Sequence, residues 1–336
     1  MYERFYGLQQ RPFDLTPDPR FLFLAPSHRE ALSNLRYGIA GRRGVTLLLG
    51  DAGTGKTMLV HAALESQRGQ NTLCVYMNNP TLARSEFIEF LALSFGFDRD
   101  TAASKTRFLF ELSRLLLERL QAGELTALII DEAQDLPDPL LDEVRWLVNL
   151  ETATEKLLPV ILVGQPALAV RLNEPGLRQI KQRIALRSAL APLQPEETAA
   201  YIRTRIRVAG GDGDGVFTEG AIRTIHEMSR GIPRTISVIC DNALVTGFGA
   251  DEHPVGRDVV LEVCRDFDVT APSDVKPDGG PARLLVRSTD ASLLARAGTG
   301  PRQTGERVTP DDPPPAVIRS SDQPAHLVGQ EGEHDR

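Results

Sequence analysis

An apolar run at 45–49 (Val-Thr-Leu-Leu-Leu) leads straight into Gly50-Asp51-Ala52-Gly53-Thr54-Gly55-Lys56-Thr57, and a helical pattern begins at once behind it. No other stretch of the chain restricts its fold as tightly. Glycines let a turn carry its backbone N–H groups inward around an anion, and the helix N-terminus adds positive potential there. The spacing places Lys56 for phosphate oxygens and the Thr57 hydroxyl for a divalent cation. A glycine-rich turn with a surface lysine is the alternative, and the strand before and helix after argue against it. Gly50, Asp51, Ala52, Gly53, Thr54, Gly55, Lys56, Thr57 and Met58 are therefore the candidate phosphate-binding set.

Such a loop belongs to a parallel sheet with helices on both faces, and the chain up to Ala191 carries the pattern for one. Apolar runs at 45–49, 72–77, 125–130, 159–163 and 186–190 predict strands, and helical spacing predicts helices over 56–67, 84–95, 104–121, 138–150 and 176–184. The third run ends in Asp131-Glu132, so a carboxylate emerges at the C-terminal edge of the sheet, where open α/β sheets bind ligands. Asp131 is the candidate to hold Mg2+ with Thr57, and Glu132 to activate a water that displaces the γ-phosphate of ATP. Gln165, just after the fourth run, reads either as a group reaching the γ-phosphate or as a helix-starting turn before Pro166. Arg183 sits among Arg178, Lys181 and Arg187, as a cation projecting from the domain edge or as part of a solvated basic face. Arg234, after Gly231-Ile232-Pro233, reads as a cation reaching back to the phosphates or as a surface arginine. The fold class expected is α/β, a P-loop NTPase with a five-stranded parallel sheet over 1–191.

Elsewhere the composition changes. Residues 1–26 are rich in aromatics and prolines, which predicts an extended segment laid over a core. Ser27-His28-Arg29-Glu30 predicts a capping box, with Ala31, Leu35 and Ile39 on one helical face behind it. After Pro192 the strand signals stop, and helical patterns at 195–209, 218–229, 233–247 and 256–267 predict a small all-helical domain over 192–271. From 272 to 336 Pro, Gly, Asp, Arg and Ser dominate, which predicts a disordered tail. A net charge of −7 argues against a generally basic surface for nucleic acid. No run approaches the roughly 18 apolar residues of a membrane span, and the N-terminus has no apolar signal core. The expected location is cytoplasmic, or peripheral to the inner membrane. Cys74, Cys240 and Cys264 lack CxxC spacing and read as buried apolar residues. Asp212-Gly213-Asp214-Gly215 looks calcium-like, but Val216, Phe217 and Arg223 occupy the following ligand positions of that pattern. His28, His61 and His226 have no partner at ligand spacing. Arg203 and Arg207 share a helical face, either solvated or open to DNA phosphates.

These motifs together resemble the AAA+ ATPases, and more narrowly the general secretion pathway protein A family (ExeA type). Phe5-Tyr6-Gly7-Leu8, Pro12-Phe13 and Pro17-Asp18-Pro19-Arg20-Phe21 look like that family's opening signature. Val163-Gly164-Gln165-Pro166, Gln182-Arg183-Ile184 and Gly231-Ile232-Pro233-Arg234 fit its later motifs. The resemblance implies sheet order 5-1-4-3-2 followed by a helical lid. It implies Gln165 as sensor 1, Arg183 as a finger acting on a neighbouring subunit, Arg234 as sensor 2, and a homo-oligomer. Family members usually continue into a transmembrane helix and a peptidoglycan-binding domain. This chain has neither, and its layout looks more like the ATPases associated with exosortase and exopolysaccharide gene clusters. The expected function is ATP hydrolysis coupled to assembly or remodelling of an envelope-associated protein complex. A nucleotide-switched, transposition-type DNA-binding ATPase is the alternative. A weakly catalytic scaffold is a third reading, against which intact Asp131 and Glu132 argue.

Overall fold

The computed structural model describes residues 1–16, 18–67, 71–78, 80–267 and the strand Val317–Arg319. They fall into two compact units. A sheet unit comprises Pro26–Ala52, Lys56–Ala191 and the strand Val317–Arg319; a helical unit comprises Met1–Ala25, Gly53–Gly55 and the described chain from Pro192.

In the sheet unit the five apolar runs form β1 (Val45–Gly50), β2 (Leu73–Met77), β3 (Thr126–Ile130), β4 (Val160–Gly164) and β5 (Ile184–Leu190). They lie in the order β5-β1-β4-β3-β2 with every pairing parallel, as expected. The sheet has one strand more than expected. Val317–Arg319 (β6) pairs antiparallel with β2, and it comes from the stretch anticipated as a disordered tail. The free edge of β2 offers unpaired N–H and C=O groups, which any extended segment can use. The rest of that stretch lies outside the described residues.

Helices are numbered from a short turn at the N-terminus, α1 (Tyr2–Phe5). The sheet unit holds α2 (Pro26–Ala40), α3 (Lys56–Glu65), α4 (Arg84–Ser94), α5 (Arg99–Ala102), α6 (Lys105–Gln121), α7 (Asp138–Val148), α8 (Pro166–Arg171) and α9 (Arg178–Lys181). Every residue of β1, β3 and β4 is buried, which is why these strands read as near-continuous apolar runs. Alternate strand residues such as Leu47, Val75, Leu128 and Leu162 share one core with Phe87 and Leu91 of α4, Phe108 of α6 and Val144 of α7. α2 starts at Pro26, so Ser27 lies inside the helix rather than capping it. Proline's preset φ and missing N–H suit a first helical turn. Glu143 of α7 is buried beside this core and is neutralised by Arg84 and by Lys105, whose Nζ lies 2.7 Å from Oε2. No described helix is long and apolar enough to cross a membrane.

The helical unit packs α10 (Pro195–Val208), α11 (Glu219–Ser229), α12 (Pro233–Gly249) and α13 (Arg257–Asp266) around Ile202, Ile206, Ile225, Ile236 and Leu244. Its core also takes Tyr2, Tyr6, Phe13 and Phe21. The first 25 residues therefore group with these helices, not with the sheet unit to which a boundary at 191 assigned them. Arg205 supplies the physical reason. Only 6% exposed, it donates Nε to Pro12 O at 2.5 Å, Nη2 to Asp14 O at 3.2 Å and Nη1 to the Tyr201 hydroxyl at 3.0 Å. Its guanidinium carbon sits 4.9 Å from the Phe21 ring centre and 5.5 Å from that of Tyr201. A planar fork satisfies three acceptors while its faces meet aromatic rings, which an ammonium cannot do.

Arg205→Met removes the donor to the buried Pro12 carbonyl, while the Tyr201 hydroxyl keeps Ser237 Oγ at 2.8 Å and Asp14 is exposed, so a loss of about 1–3 kcal/mol is expected in urea unfolding. Arg205→Lys should recover little of it. An unchanged unfolding midpoint would show that the N-terminal segment is held by other contacts.

Candidate functional site

β4 lies between β1 and β3, so three strand ends meet at one edge of the sheet. The register pairs Leu49 with Gly164 and Ile130 with Leu162. That alignment brings the loop after Gly50, the pair Asp131-Glu132 and Gln165 to the same edge. Gly53 and Gly55 take φ of 82° and 94°, a region open mainly to glycine, as the chain turns into α3.

Lys56 opens α3 and is 5% exposed. Its Nζ donates to Gly50 O at 3.0 Å and Asp51 O at 3.1 Å, and these two carbonyls are its only partners among the described residues. A buried ammonium without a counter-charge costs several kcal/mol. A helix N-terminus and an uncompensated cation together make an anion site. The oxygen donors that could hold a metal ion lie close together. Thr57 Oγ1 donates to Asp131 Oδ2 at 2.8 Å, the Tyr76 hydroxyl donates to the same oxygen at 2.7 Å, and Oδ1 accepts from Glu132 N at 2.9 Å. Hydroxyl and carboxylate oxygens within one hydrogen bond of each other are the hard donors that suit Mg2+, so the residues fit that ion. Burial, and then the bond to Asp131, push the Tyr76 pKa well above the phenol value, which keeps its hydroxyl a donor. The His61 ring lies against it, centroids 5.5 Å apart.

Glu132 is half-buried, and its Oε2 accepts from Gln134 Nε2 at 2.7 Å. Arg171 pins the following turn, donating Nη1 to Gln134 O at 2.6 Å and Leu136 O at 2.8 Å and pairing Nη2 with Asp138 at 2.5 Å. Gln165 stands at the N-cap of α8 with Pro166 behind it, and its side chain makes no cap bond. It therefore starts a helix, and its half-buried side chain remains at the edge between the two motifs. Arg183 lies elsewhere. Its carbonyl accepts from Val45 N at 3.2 Å, at the start of β1, and β1 spans roughly 20 Å before the glycine loop. Exposed, it lines an open groove of about 810 Å3 with Arg42, Arg43 and Lys156. It does not join the site of its own chain. Arg234, in the first turn of α12, has an exposed side chain, and its N–H donates to Gly53 O at 3.2 Å. A side chain at Gly53 would begin 2.8 Å from the Arg234 Cβ, so space as well as φ requires glycine there.

Tyr76, Gln134 and Arg171 escaped the sequence reading. Tyr76 sits inside an apolar run, and only Gln134, in Asp-Glu-Ala-Gln, stood beside a motif. Other sequence features resolve simply. Arg203 pairs with Asp214 and Glu219, and Arg207 with Asp214, so the acidic loop and the basic face neutralise each other. The three cysteines are buried free thiols.

The AAA domain family matches residues 39–172. General secretion pathway protein A of Aeromonas hydrophila is 40% identical over 256 residues, which span 76% of this chain and 46% of that protein. The chain thus covers less than half the length of that relative. Among solved structures, the Aeropyrum pernix ORC2 protein in its ADPNP–ADP complexes aligns at TM-score 0.55 and 17% identity over 77% of this chain and 72% of its own. Cdc6p from Pyrobaculum aerophilum aligns at TM-score 0.55 and 18% identity over 74% and 70%. At such identities the likeness is one of fold.

Tyr76→Phe removes one of the two hydroxyls on Asp131 Oδ2, and a loss of about 1–2 kcal/mol in stability is expected. Because the folded-state pKa is raised, this contribution is fully present below the ordinary tyrosine value of about 10 and fades only above it. The difference between variant and wild type should therefore be flat from about pH 6 to 9. A difference that changes sharply in that window would assign it to another group.

Proposed function

The chain belongs to the AAA ATPases of the general secretion pathway protein A type, and on that premise we propose that it binds ATP with Mg2+ and hydrolyses it to assemble or remodel an envelope-associated complex. The observation that carries this reading is the buried Lys56 ammonium, met only by two loop carbonyls among the described residues. A triphosphate supplies the missing negative charge, and the N-terminus of α3 favours it further. Thr57 and Asp131 would hold Mg2+, which neutralises charge on the phosphate oxygens. Glu132 takes a proton from the attacking water. The water oxygen bonds to the γ-phosphorus in line, and the bond from that phosphorus to the β–γ bridging oxygen breaks, leaving ADP and phosphate. Gln165 is assigned to orient the γ-phosphate or the water. Arg234 is assigned as the second sensor, a role supported by its backbone bond to Gly53.

The far-edge position of Arg183 supports a role on a neighbouring subunit, because its own glycine loop lies about the length of β1 away. The reading is thus a homo-oligomer whose sites are completed between copies. The name of the Aeromonas hydrophila relative points to a secretion-associated complex as the client.

Lys56→Ala should lose tight ATP binding, whereas Glu132→Gln should keep it and lose turnover by about 10²–10⁴-fold. Nucleotide affinity and phosphate release separate the two, and undiminished hydrolysis in Glu132→Gln would remove Glu132 from the role of base. Arg183→Ala should bind ATP normally and turn it over slowly, since a trans-acting arginine contributes about 10³–10⁵ in rate. Mixing Arg183→Ala with Glu132→Gln should restore part of the activity. Mixed oligomers that form and stay inactive would return Arg183 to the solvated basic face.

A further inference from the structure

Gln134 follows Glu132 by two residues, in the tight 3-10 turn Ala133–Asp135. Glu132 takes φ of 50°, a left-handed conformation that is uncommon for glutamate. Asp135 N–H closes the turn on Glu132 O at 2.9 Å. That reversal returns the Gln134 side chain to the Glu132 carboxylate. Nε2 donates to Glu132 Oε2 at 2.7 Å and to Asp135 Oδ2 at 3.1 Å, while Oε1 accepts from the Gln165 N–H at 3.0 Å. One end of the amide faces carboxylates and the other faces a backbone donor, so the neighbours dictate which way it points. A side chain at Gly164 would begin 2.9 Å from Oε1, so the glycine leaves the amide room to dock at the end of β4. Arg171 holds the Gln134 carbonyl from α8. Glu132 Oε1 has no protein partner among the described residues.

We propose that Gln134 is a positioning residue for hydrolysis: its carboxamide ties the Glu132 carboxylate to the backbone at the end of β4. Oε2 is held by that tie, and Oε1 is left to accept the proton of the attacking water. This rests on the assignment of Glu132 as the general base. A carboxylate released from the tie rotates about its side-chain bonds, and misplacement of a reacting group by about 1 Å costs around a hundredfold in rate. Gln134 acts through Glu132 and does not itself touch the substrate.

The test uses the full chain with ATP and Mg2+. Gln134→Met keeps the length and removes all three side-chain hydrogen bonds; Gln134→Glu keeps the shape but sets an anion against Glu132 and Asp135. Both should bind ATP with wild-type affinity, keep KM and lose kcat by about ten- to a hundredfold. In a Glu132→Gln background, followed over long single-turnover incubations, Gln134→Met should cost nothing further, because the group it positions is gone. Full kcat in Gln134→Met at a wild-type melting temperature overturns the proposal, and so does a further loss in the Glu132→Gln background. If Gln134→Met fails to fold, Gln134→Glu carries the same comparison. A wild-type chain that binds ATP but never releases phosphate overturns the hydrolytic reading itself, an outcome distinct from any result on the variants.

Discussion

Parallel pairing of β1, β4 and β3 brings three strand ends to one edge of the sheet, although Thr57 and Asp131 stand 74 residues apart in sequence. The strands that do this are buried along their whole length. Their side chains pack against helices on both faces, and polar groups concentrate where the strands end. The lysine, the two carboxylates and the glutamine amides sit at or just beyond those ends. Chemistry here depends on pairing register: a slip of one residue between β1 and β4 would turn alternate side chains to the opposite face and separate the two motifs.

Buried charge is handled differently in structural and functional places. Glu143 is met by Arg84 and Lys105. Arg205 is met by two carbonyls, a hydroxyl and aromatic faces. Asp131 receives two hydroxyls and a backbone N–H. Among the described residues Lys56 meets only two loop carbonyls, with neither a charged partner nor the aromatic faces that Arg205 has. Its charge is the least compensated of the four. The same economy appears after β3, where the left-handed Glu132 and the 3-10 turn behind it place Gln134 back on the carboxylate. Local strain there is offset by bonds from the Gln165 N–H and from Arg171 of α8.

Much of the fold was legible in the sequence. The five apolar runs became the five parallel strands with ends shifted by a residue or two, and the periodic segments after Pro192 became the four helices of the second unit. Ala31, Leu35 and Ile39 are buried on one face as their spacing required. The glycine loop and Asp131-Glu132 were legible because each is a local string bound to a local context. Tyr76 was not, since a tyrosine in an apolar run reads as core until the neighbouring strand puts a carboxylate beside its hydroxyl. Arg205 was hidden between Arg203 and Arg207, and its partners Pro12 and Asp14 lie 193 and 191 residues away. The added strand β6 was hidden for the same reason: an exposed edge is a property of the assembled sheet.

What the sequence by itself determined is therefore what periodicity and short motifs encode, namely two kinds of secondary structure, their order, and a glycine-rich loop ahead of a paired carboxylate. Burial acts residue by residue, so its imprint on composition is local and survives in a single chain. Only the tertiary structure decided which edge of the sheet each cation occupies, which unit claims the first 25 residues, and that Gln134 bridges Glu132 to Gln165. Those outcomes are contacts between segments remote in sequence, whose geometry exists only once strand order and register have been set.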